Sequence, residues 1–346
     1  MVDLKMQRKT ETGTQLLARL STRVDLSGLD PLVFGSSPNS PQSLDCKLIE
    51  ISGLEGIGKT ELALHYIART CLPCQWKGLA LGGLGAKVTV IDTEFKFSVL
   101  RLAIVIECLV LRYVSENKLD STKPQEIKKT SEDISLTNGL DRDSGESDGK
   151  LSKVTNISKN ELEIPDFDIK NNGSKSVITP HDMENIVHDA LERVDVMKVT
   201  SSQQLVVSLL SLEQRLSCDP QVALIVIDSI SAFYWMDQAF ESSMAAIVQT
   251  ILRCRSEFGV SFLLIKSLLI NPKKRKWEME GGDCSESSRS DSVEFLGRHW
   301  ASLSMRKIIL SESTSSPGRR QFLARCPEWS AGRHLSFVED CLLLVL

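Results

Sequence analysis

One eight-residue segment constrains the fold of this 346-residue chain more than any other. The segment has the pattern Gly-x-x-x-x-Gly-Lys-Thr and consists of Gly53, Leu54, Glu55, Gly56, Ile57, Gly58, Lys59 and Thr60. An apolar run precedes it, and residues 60–70 carry apolar side chains on one helical face. Glycines allow backbone N–H groups to converge on phosphate oxygens, and the start of a helix favours the same anion. The segment predicts a strand, a phosphate-binding loop and a helix. The alternative is an ordinary glycine-rich turn.

The rest of the chain continues the alternation of strands and helices. Further apolar runs predict strands, and segments with helical spacing predict helices. The strands are 48–52, 87–92, 222–227, 261–265 and 302–310, and the helices are 60–70, 98–112 and 202–216. This alternation predicts an α/β fold with a mostly parallel sheet and helices on both faces. Together with the Gly-x-x-x-x-Gly-Lys-Thr segment, it predicts a P-loop NTPase core.

Shifts in composition divide the chain. Residues 1–47 lead into a core formed by 48–114 and 176–310, and residues 311–346 are a C-terminal segment without an assigned structure. Residues 115–175 are rich in Ser, Asn, Asp and Lys without helical or strand periodicity, which predicts a disordered insertion within one domain. Residues 271–292 contain a basic cluster and a Ser-rich tract, and they predict a mobile loop within the second core segment.

Composition also excludes several classes of protein. With 42% hydrophobic and 25% charged residues, the chain is neither wholly disordered nor collagen-like. The apolar runs are far shorter than the roughly 18 residues of a membrane helix, so no membrane contact is expected. Nine scattered cysteines predict a reduced, intracellular protein rather than a disulfide framework. A formal charge of −4 gives no global basic field, so any nucleic-acid contact must be local.

Two residues of the segment and two further residues, Asp228 and Glu94, complete the candidate nucleotide site. Lys59 can reach the β and γ phosphates of ATP, and the Thr60 hydroxyl can ligate Mg²⁺. Asp228 closes a buried apolar run and is the second candidate Mg²⁺ residue; its alternative role is a helix N-cap. Glu94, two residues beyond a predicted strand, is the candidate general base; its alternative is a solvated loop carboxylate.

Two other motifs are weaker. Cys71 and Cys74 form a C-x-x-C pair without a second pair at zinc spacing, which favours structural cysteines over a redox or zinc site. The basic run 272–276, followed by Trp277, is consistent with a nuclear import signal, with a phosphate-contacting patch, or with a solvated charge cluster.

Four blocks of the sequence resemble the RecA/Rad-type recombinase superfamily, and within it the recombinase paralogues. They are residues 11–20, 49–73, 91–102 and 227–237, where the last reads Ile-Asp-Ser-Ile-Ser-Ala-Phe-Tyr-Trp-Met-Asp. The resemblance implies a single RecA-like ATPase core and a nuclear protein of homologous recombination, double-strand break repair and meiosis. It also implies ATP and Mg²⁺ as cofactors, with Glu94 standing where recombinases place their catalytic glutamate. The implied partners are other recombinase paralogues, notably the D-type paralogue, and single-stranded or branched DNA.

The chain departs from the recombinase pattern after the strand at 261–265. Active recombinases carry there a glutamine that senses the γ-phosphate, whereas this chain reads Lys-Ser-Leu-Leu-Ile at 266–270. Two interpretations follow: an ATP-binding mediator that acts through partners, or a DNA-stimulated ATPase that remodels recombination intermediates. A third, an unrelated P-loop kinase or transporter ATPase, lacks the paired signature motifs of those classes.

Overall fold

A computed structural model gives the fold of the chain. The structure describes the ranges 12–20, 23–35, 47–120, 178–237, 240–269, 294–313, 321–327, 329, 334–338 and 342–345. The predicted mobile loop, 271–292, and most of the predicted insertion, 121–175, lie outside the described residues.

Strands and helices alternate through most of the described chain. The strands are β1 (Leu48–Gly53), β2 (Gln75–Trp76), β3 (Leu79–Ala80), β4 (Lys87–Asp92), β5 (Val194–Lys198), β6 (Val222–Asp228), β7 (Ser261–Ser267), β8 (Arg306–Ser313), β9 (Gln321–Arg325), β10 (Leu335–Val338) and β11 (Leu342–Val345). The helices are α1 (Gly13–Leu20), α2 (Lys59–Cys71), α3 (Val99–Asp120), α4 (Pro180–Leu191), α5 (Ser202–Leu216), α6 (Phe240–Phe258) and α7 (Arg298–Ala301).

Nine strands form one sheet in the order β11-β10-β9-β8-β1-β7-β6-β4-β5. The strands β8, β1, β7, β6, β4 and β5 lie parallel to one another. The pairs β8–β9, β9–β10 and β10–β11 are antiparallel. Strands β2 and β3 form a separate small hairpin. The predicted α/β class with a mostly parallel sheet is confirmed.

Helices cover both faces of the sheet and bury two apolar clusters. One cluster packs α2, α3 and α4 against side chains such as Ile49 and Ile265. The other packs α5, α6 and α7 against side chains such as Leu48 and Leu264. Consecutive strand residues therefore point to opposite faces, and continuous apolar runs such as β6 are buried on both sides. This arrangement is the RecA-like core that the sequence predicts.

Several boundaries differ from the sequence-based expectations. Helix α3 extends to Asp120, six residues into the predicted insertion. The predicted strand at 302–310 instead begins at Arg306, because the short helix α7 and its C-cap Ser302 precede it. Beyond residue 311, β8 ends at Ser313 and three further strands extend the sheet. Within the part of the chain that the structure describes, none of the helices combines the length and hydropathy of a membrane-spanning segment.

The N-terminal segment is fastened to the core by an arginine. The Arg23 guanidinium donates hydrogen bonds to the carbonyl oxygens of Leu216, Asp219, Val222 and Phe258 at 2.6–2.9 Å. The carbonyls of Leu216 and Phe258 lie at the ends of α5 and α6, where helix geometry leaves carbonyl groups without intrahelical donors. The other two carbonyls belong to Asp219, in the turn after α5, and to Val222, at the start of β6. One side chain from the N-terminal segment thus joins three core elements.

Candidate nucleotide-binding site

The phosphate-loop motif forms the turn between β1 and α2. Gly56 and Gly58 have φ angles of 77° and 78°, in the left-handed region that favours glycine. A Cβ atom on Gly53 would lie 2.2 Å from Cδ1 of Ile57, so this position also requires glycine unless Ile57 moves. Gly58 precedes α2 and offers no side-chain cap to its first turn. A helix start of this kind is suited to bind an anion with its backbone N–H groups.

Lys59 folds back over the loop in this structure. Its Nζ donates hydrogen bonds to the carbonyl oxygens of Gly53, at 3.0 Å, and of Leu54, at 2.5 Å. Burial lowers the pKa of Lys59, although the carboxylates of Asp228, Glu94 and Glu55 counteract this effect. The ammonium group therefore lies at the loop, where a phosphate would compensate for its lost hydration better than the two carbonyls do.

The two candidate Mg²⁺ residues meet across the site. The Thr60 hydroxyl donates a hydrogen bond to Oδ2 of Asp228 at 2.7 Å. Asp228 ends β6 and does not cap a helix, because turns follow it and α6 begins only at Phe240. A hydroxyl and a carboxylate are oxygen ligands of the kind that Mg²⁺ prefers, and the ion usually completes its shell with water and phosphate oxygens. Among the described residues no cluster of three or more His, Cys, Asp or Glu could hold a metal unaided.

The ionisation of Asp228 is sensitive to its surroundings. Burial, together with the negative charges of Glu94 and Asp92, raises the pKa of Asp228 to about 6, although Thr60 and Lys59 act in the opposite direction. A cation at this position would favour the ionised carboxylate, since opposite charges nearby lower a carboxyl pKa. The electrostatics therefore suit a bound divalent cation.

Glu94 lies beside this pair, on the loop after β4. Asp92 holds that loop by accepting hydrogen bonds from the backbone N–H groups of Lys96 and Phe97, at 3.2 and 3.1 Å. Glu94 accepts a hydrogen bond from the Ser229 hydroxyl at 2.6 Å and pairs with Nζ of Lys96 at 2.6 Å. Burial would raise the pKa of Glu94, but these hydrogen bonds, with help from Lys59, leave it below the ordinary value.

Three residues of the site are not identifiable from the motifs alone. Lys96 pairs with Glu94, and Ser229 joins the loop after β4 to the end of β6. The Ser231 hydroxyl accepts a hydrogen bond from the backbone N–H of Ser267 at 3.1 Å, which ties the same turn to β7. Adjacency to Asp228 is the available signal for Ser229, and proximity to Glu94 is the signal for Lys96.

The strand end where recombinases carry a glutamine holds a buried lysine in this chain. Nζ of Lys266 lies 2.6 Å from the carboxylate of Glu294 and 3.9 Å from that of Glu50, and its side chain is 4% exposed. Nε1 of Trp300 donates a further hydrogen bond to Glu50 at 2.7 Å. This network lies on the face of the sheet covered by α5 and α6, so the Lys266 ammonium is engaged inside the protein.

Cys71, the first cysteine of the C-x-x-C pair, has the buried position expected of a structural cysteine. Cys71 is fully buried at the end of α2, and burial raises the pKa of its thiol to about 12. Its Sγ contacts the carbonyl oxygen of Ala68, whereas Cys74 is exposed. A thiol with such a high pKa carries little reactive thiolate at neutral pH.

The parallel sheet, the phosphate loop between β1 and α2, and the acidic end of β6 define the class of this protein: it has a RecA-like P-loop core. Within that class, comparison with known proteins is more specific, although no family model matches the chain. The chain is 24% identical to DNA repair protein XRCC2 of Mus musculus over 322 residues, which cover 90% of this chain and 88% of the mouse protein. It is 25% identical to DNA repair protein XRCC2 homolog of Arabidopsis thaliana over 319 residues, or 82% of this chain and 74% of the plant protein. This similarity confirms the resemblance noted from the motifs and supports an XRCC2-like assignment of the chain.

Proposed function

We propose that the chain is an ATP-binding recombinase paralogue of homologous-recombination repair of DNA double-strand breaks. It acts in the nucleus as a subunit of a paralogue complex that supports the recombinase filament on single-stranded DNA. The observation that carries this proposal is the similarity, over most of the chain, to DNA repair protein XRCC2 of mouse and to DNA repair protein XRCC2 homolog of Arabidopsis thaliana. The other recombinase paralogues, notably the D-type paralogue, are the proposed partners.

The geometry of the loop supports ATP and Mg²⁺ as the cofactors. Residues 53–60 would surround the phosphates with backbone N–H groups, and Lys59 would exchange its two carbonyl partners for phosphate oxygens. Thr60 and Asp228 would hold Mg²⁺, directly or through water. The bound ion would neutralise charge on the phosphates.

ATP binding is better supported than ATP hydrolysis. Phosphoryl transfer typically requires a positioned water and an arginine supplied in cis or by a partner. Among the described residues, the cations that act most strongly on Glu94 are two lysines, Lys96 and Lys59, and not an arginine. The Glu94 carboxylate is also engaged by Lys96 and Ser229. We therefore expect the isolated chain to hydrolyse ATP slowly, below about 1 s⁻¹, the lower end of ordinary enzyme turnover.

A second function is favoured by the position of Glu94. Its carboxylate lies beside the Thr60–Asp228 pair, one hydrogen bond from Ser229, where a base could orient a water. In this alternative the chain is a DNA-stimulated ATPase that remodels recombination intermediates by its own turnover. Stimulation of ATP hydrolysis by single-stranded DNA in the purified chain, abolished in Glu94→Gln, would favour this alternative over the mediator.

Co-purification from the nuclei of cells with damaged DNA tests the proposal. The wild-type chain is compared with Lys59→Ala and with Lys77→Ala, a control lysine that pairs with Asp182 near the start of α4. We expect recombinase paralogues with the wild type and with Lys77→Ala, and their loss from Lys59→Ala would show that nucleotide binding gates assembly. Absence of recombination proteins from the wild type would contradict the proposed function.

A further inference from the structure

Two large apolar side chains project together from the turn that follows β6. The side chains belong to consecutive residues, Trp235 and Met236, which are 74% and 78% exposed. Most residues that precede them in this turn are buried, including Ile230 and Phe233. Scattered exposed apolar residues are normal on protein surfaces, but two adjacent large ones form a patch that needs an explanation.

The turn holds this pair in a fixed position. The backbone N–H groups of Met236 and Asp237 both donate to the carbonyl oxygen of Phe233, at 3.2 and 3.0 Å. The Asp237 carboxylate in turn accepts a hydrogen bond from the backbone N–H of Ser202, the first residue of α5, at 3.0 Å. We call Trp235 and Met236 the tip of this turn. Both ends of the tip are therefore fastened to the core.

A cluster of aromatic side chains packs beneath the Trp235 ring. The Tyr234 ring contacts the Trp235 ring edge-on, with 4.7 Å between centroids. The other contacts of Tyr234 are with Phe240, on α6, and with Phe295, at 5.6 and 4.7 Å. Because the tip is ordered before any partner arrives, less conformational entropy is lost when its side chains become buried. Rigid aromatic anchors of this kind are typical of the residues that dominate protein interfaces.

The charges of the chain segment that forms this turn argue against a nucleic-acid ligand. From Ser229 to Leu252 the sequence has no Lys, Arg or His, and its charged residues are Asp237 and Glu241. Nucleic-acid binding depends on cations that neutralise phosphates, and a stacking platform normally lies within a positively charged groove. The acidic residues of this segment, Asp237 and Glu241, instead favour a partner surface with basic groups around an apolar pocket.

We propose that Trp235 and Met236 are the anchor by which this chain docks into an apolar pocket, bordered by basic side chains, on a protein partner. The proposal rests on the proposed function, which supplies the candidate for that partner, the D-type recombinase paralogue. The tip is a protein contact, and it does not read or stack on DNA.

The test measures binding of the purified D-type paralogue, and separately of a single-stranded oligothymidine, to four forms of the full chain. The forms are the wild type, Trp235→Ala, Met236→Lys and a control, Leu100→Ala, which removes an equally exposed leucine from α3. Thermal unfolding of each form confirms that the fold is retained. We expect at least tenfold weaker paralogue binding for both tip variants and unchanged binding for the control.

The variant Met236→Lys distinguishes a protein partner from a DNA partner. A lysine at the tip opposes a basic pocket border and weakens docking, whereas it would strengthen binding to DNA by adding a phosphate contact. Loss of oligothymidine binding in Trp235→Ala, or paralogue affinities equal to that of the wild type in both tip variants, would overturn the inference while leaving the proposed function intact. If the wild type itself does not bind the paralogue, both the inference and this part of the proposed function are wrong.

Discussion

The buried lysine at the end of β7 gives the sharpest prediction about stability. In the variant Lys266→Met the ammonium group is removed, and the carboxylates of Glu50 and Glu294 lose their shared cation. Glu50 is 3% exposed and keeps the hydrogen bond from Trp300, whereas Glu294 is 29% exposed and can turn toward water. Removing one partner of a buried pair typically costs about 3–5 kcal/mol. Because one carboxylate can rehydrate, we expect a loss near the lower end, about 3 kcal/mol.

A matched control separates burial from the loss of an ion pair as such. Lys87 on β4 pairs with Asp219 at 2.7 Å, but their side chains are 36% and 32% exposed. An ion pair with this exposure contributes about 0–1 kcal/mol, so Lys87→Met should lower the free energy of unfolding by no more than that. Urea unfolding followed by circular dichroism at pH 7 gives both values. Equal losses in the two variants, or a more stable Lys266→Met, would refute the reasoning.

The remaining predictions concern the N-terminal segment and the nucleotide site. Arg23→Met removes four hydrogen bonds to carbonyl groups and should lower the free energy of unfolding, measured by urea titration, by about 3 kcal/mol. A loss below about 1 kcal/mol would show that the guanidinium is dispensable. Burial raises the pKa of Asp228 to about 6, so between about pH 4 and 6 the folded state keeps a proton that the unfolded state has lost. Without nucleotide, the free energy of unfolding should therefore fall by up to about 3 kcal/mol as the pH rises through this window. Asp228→Asn should lack that component, and identical pH profiles of unfolding in the two proteins would contradict the assignment. Gly58→Ala places a side chain at a φ of 78° and should cost about 1–2 kcal/mol in thermal unfolding, besides weakening nucleotide binding; an unchanged melting temperature would show that the loop adapts.

The sequence was sufficient for the core because its local signals agree with one another. The run that forms β6 is a continuous stretch of apolar residues that ends at Asp228. Gly56 and Gly58 are required because their φ angles are positive, and the sequence motif itself contains these glycines. These features depend on neighbours in the chain, so their prediction required no knowledge of tertiary contacts.

Other features depend on contacts between distant segments and leave no local signal. The pairing of Lys266 with Glu50 joins residues that are far apart in the sequence, and a lone lysine at a strand end reads as an exposed charge. The strands beyond residue 313 pair antiparallel with β8 and with one another, and their runs are too short to indicate a place in the sheet. Helix α3 continues to Asp120 because the change in composition after residue 114 brings no stop signal such as Gly or Pro.

Binding of Mg²⁺ and ATP by the purified chain tests the central claim most directly. Titration calorimetry compares the wild type with Lys59→Ala and with the control Lys77→Ala, in the presence and absence of Mg²⁺. We predict saturable binding by the wild type and the control, stronger with Mg²⁺, and at least tenfold weaker binding by Lys59→Ala, since the ammonium contributes a charge-assisted contact to phosphate. No binding by the wild type, or equal affinity in Lys59→Ala, would contradict the assignment of residues 53–60 as an ATP site.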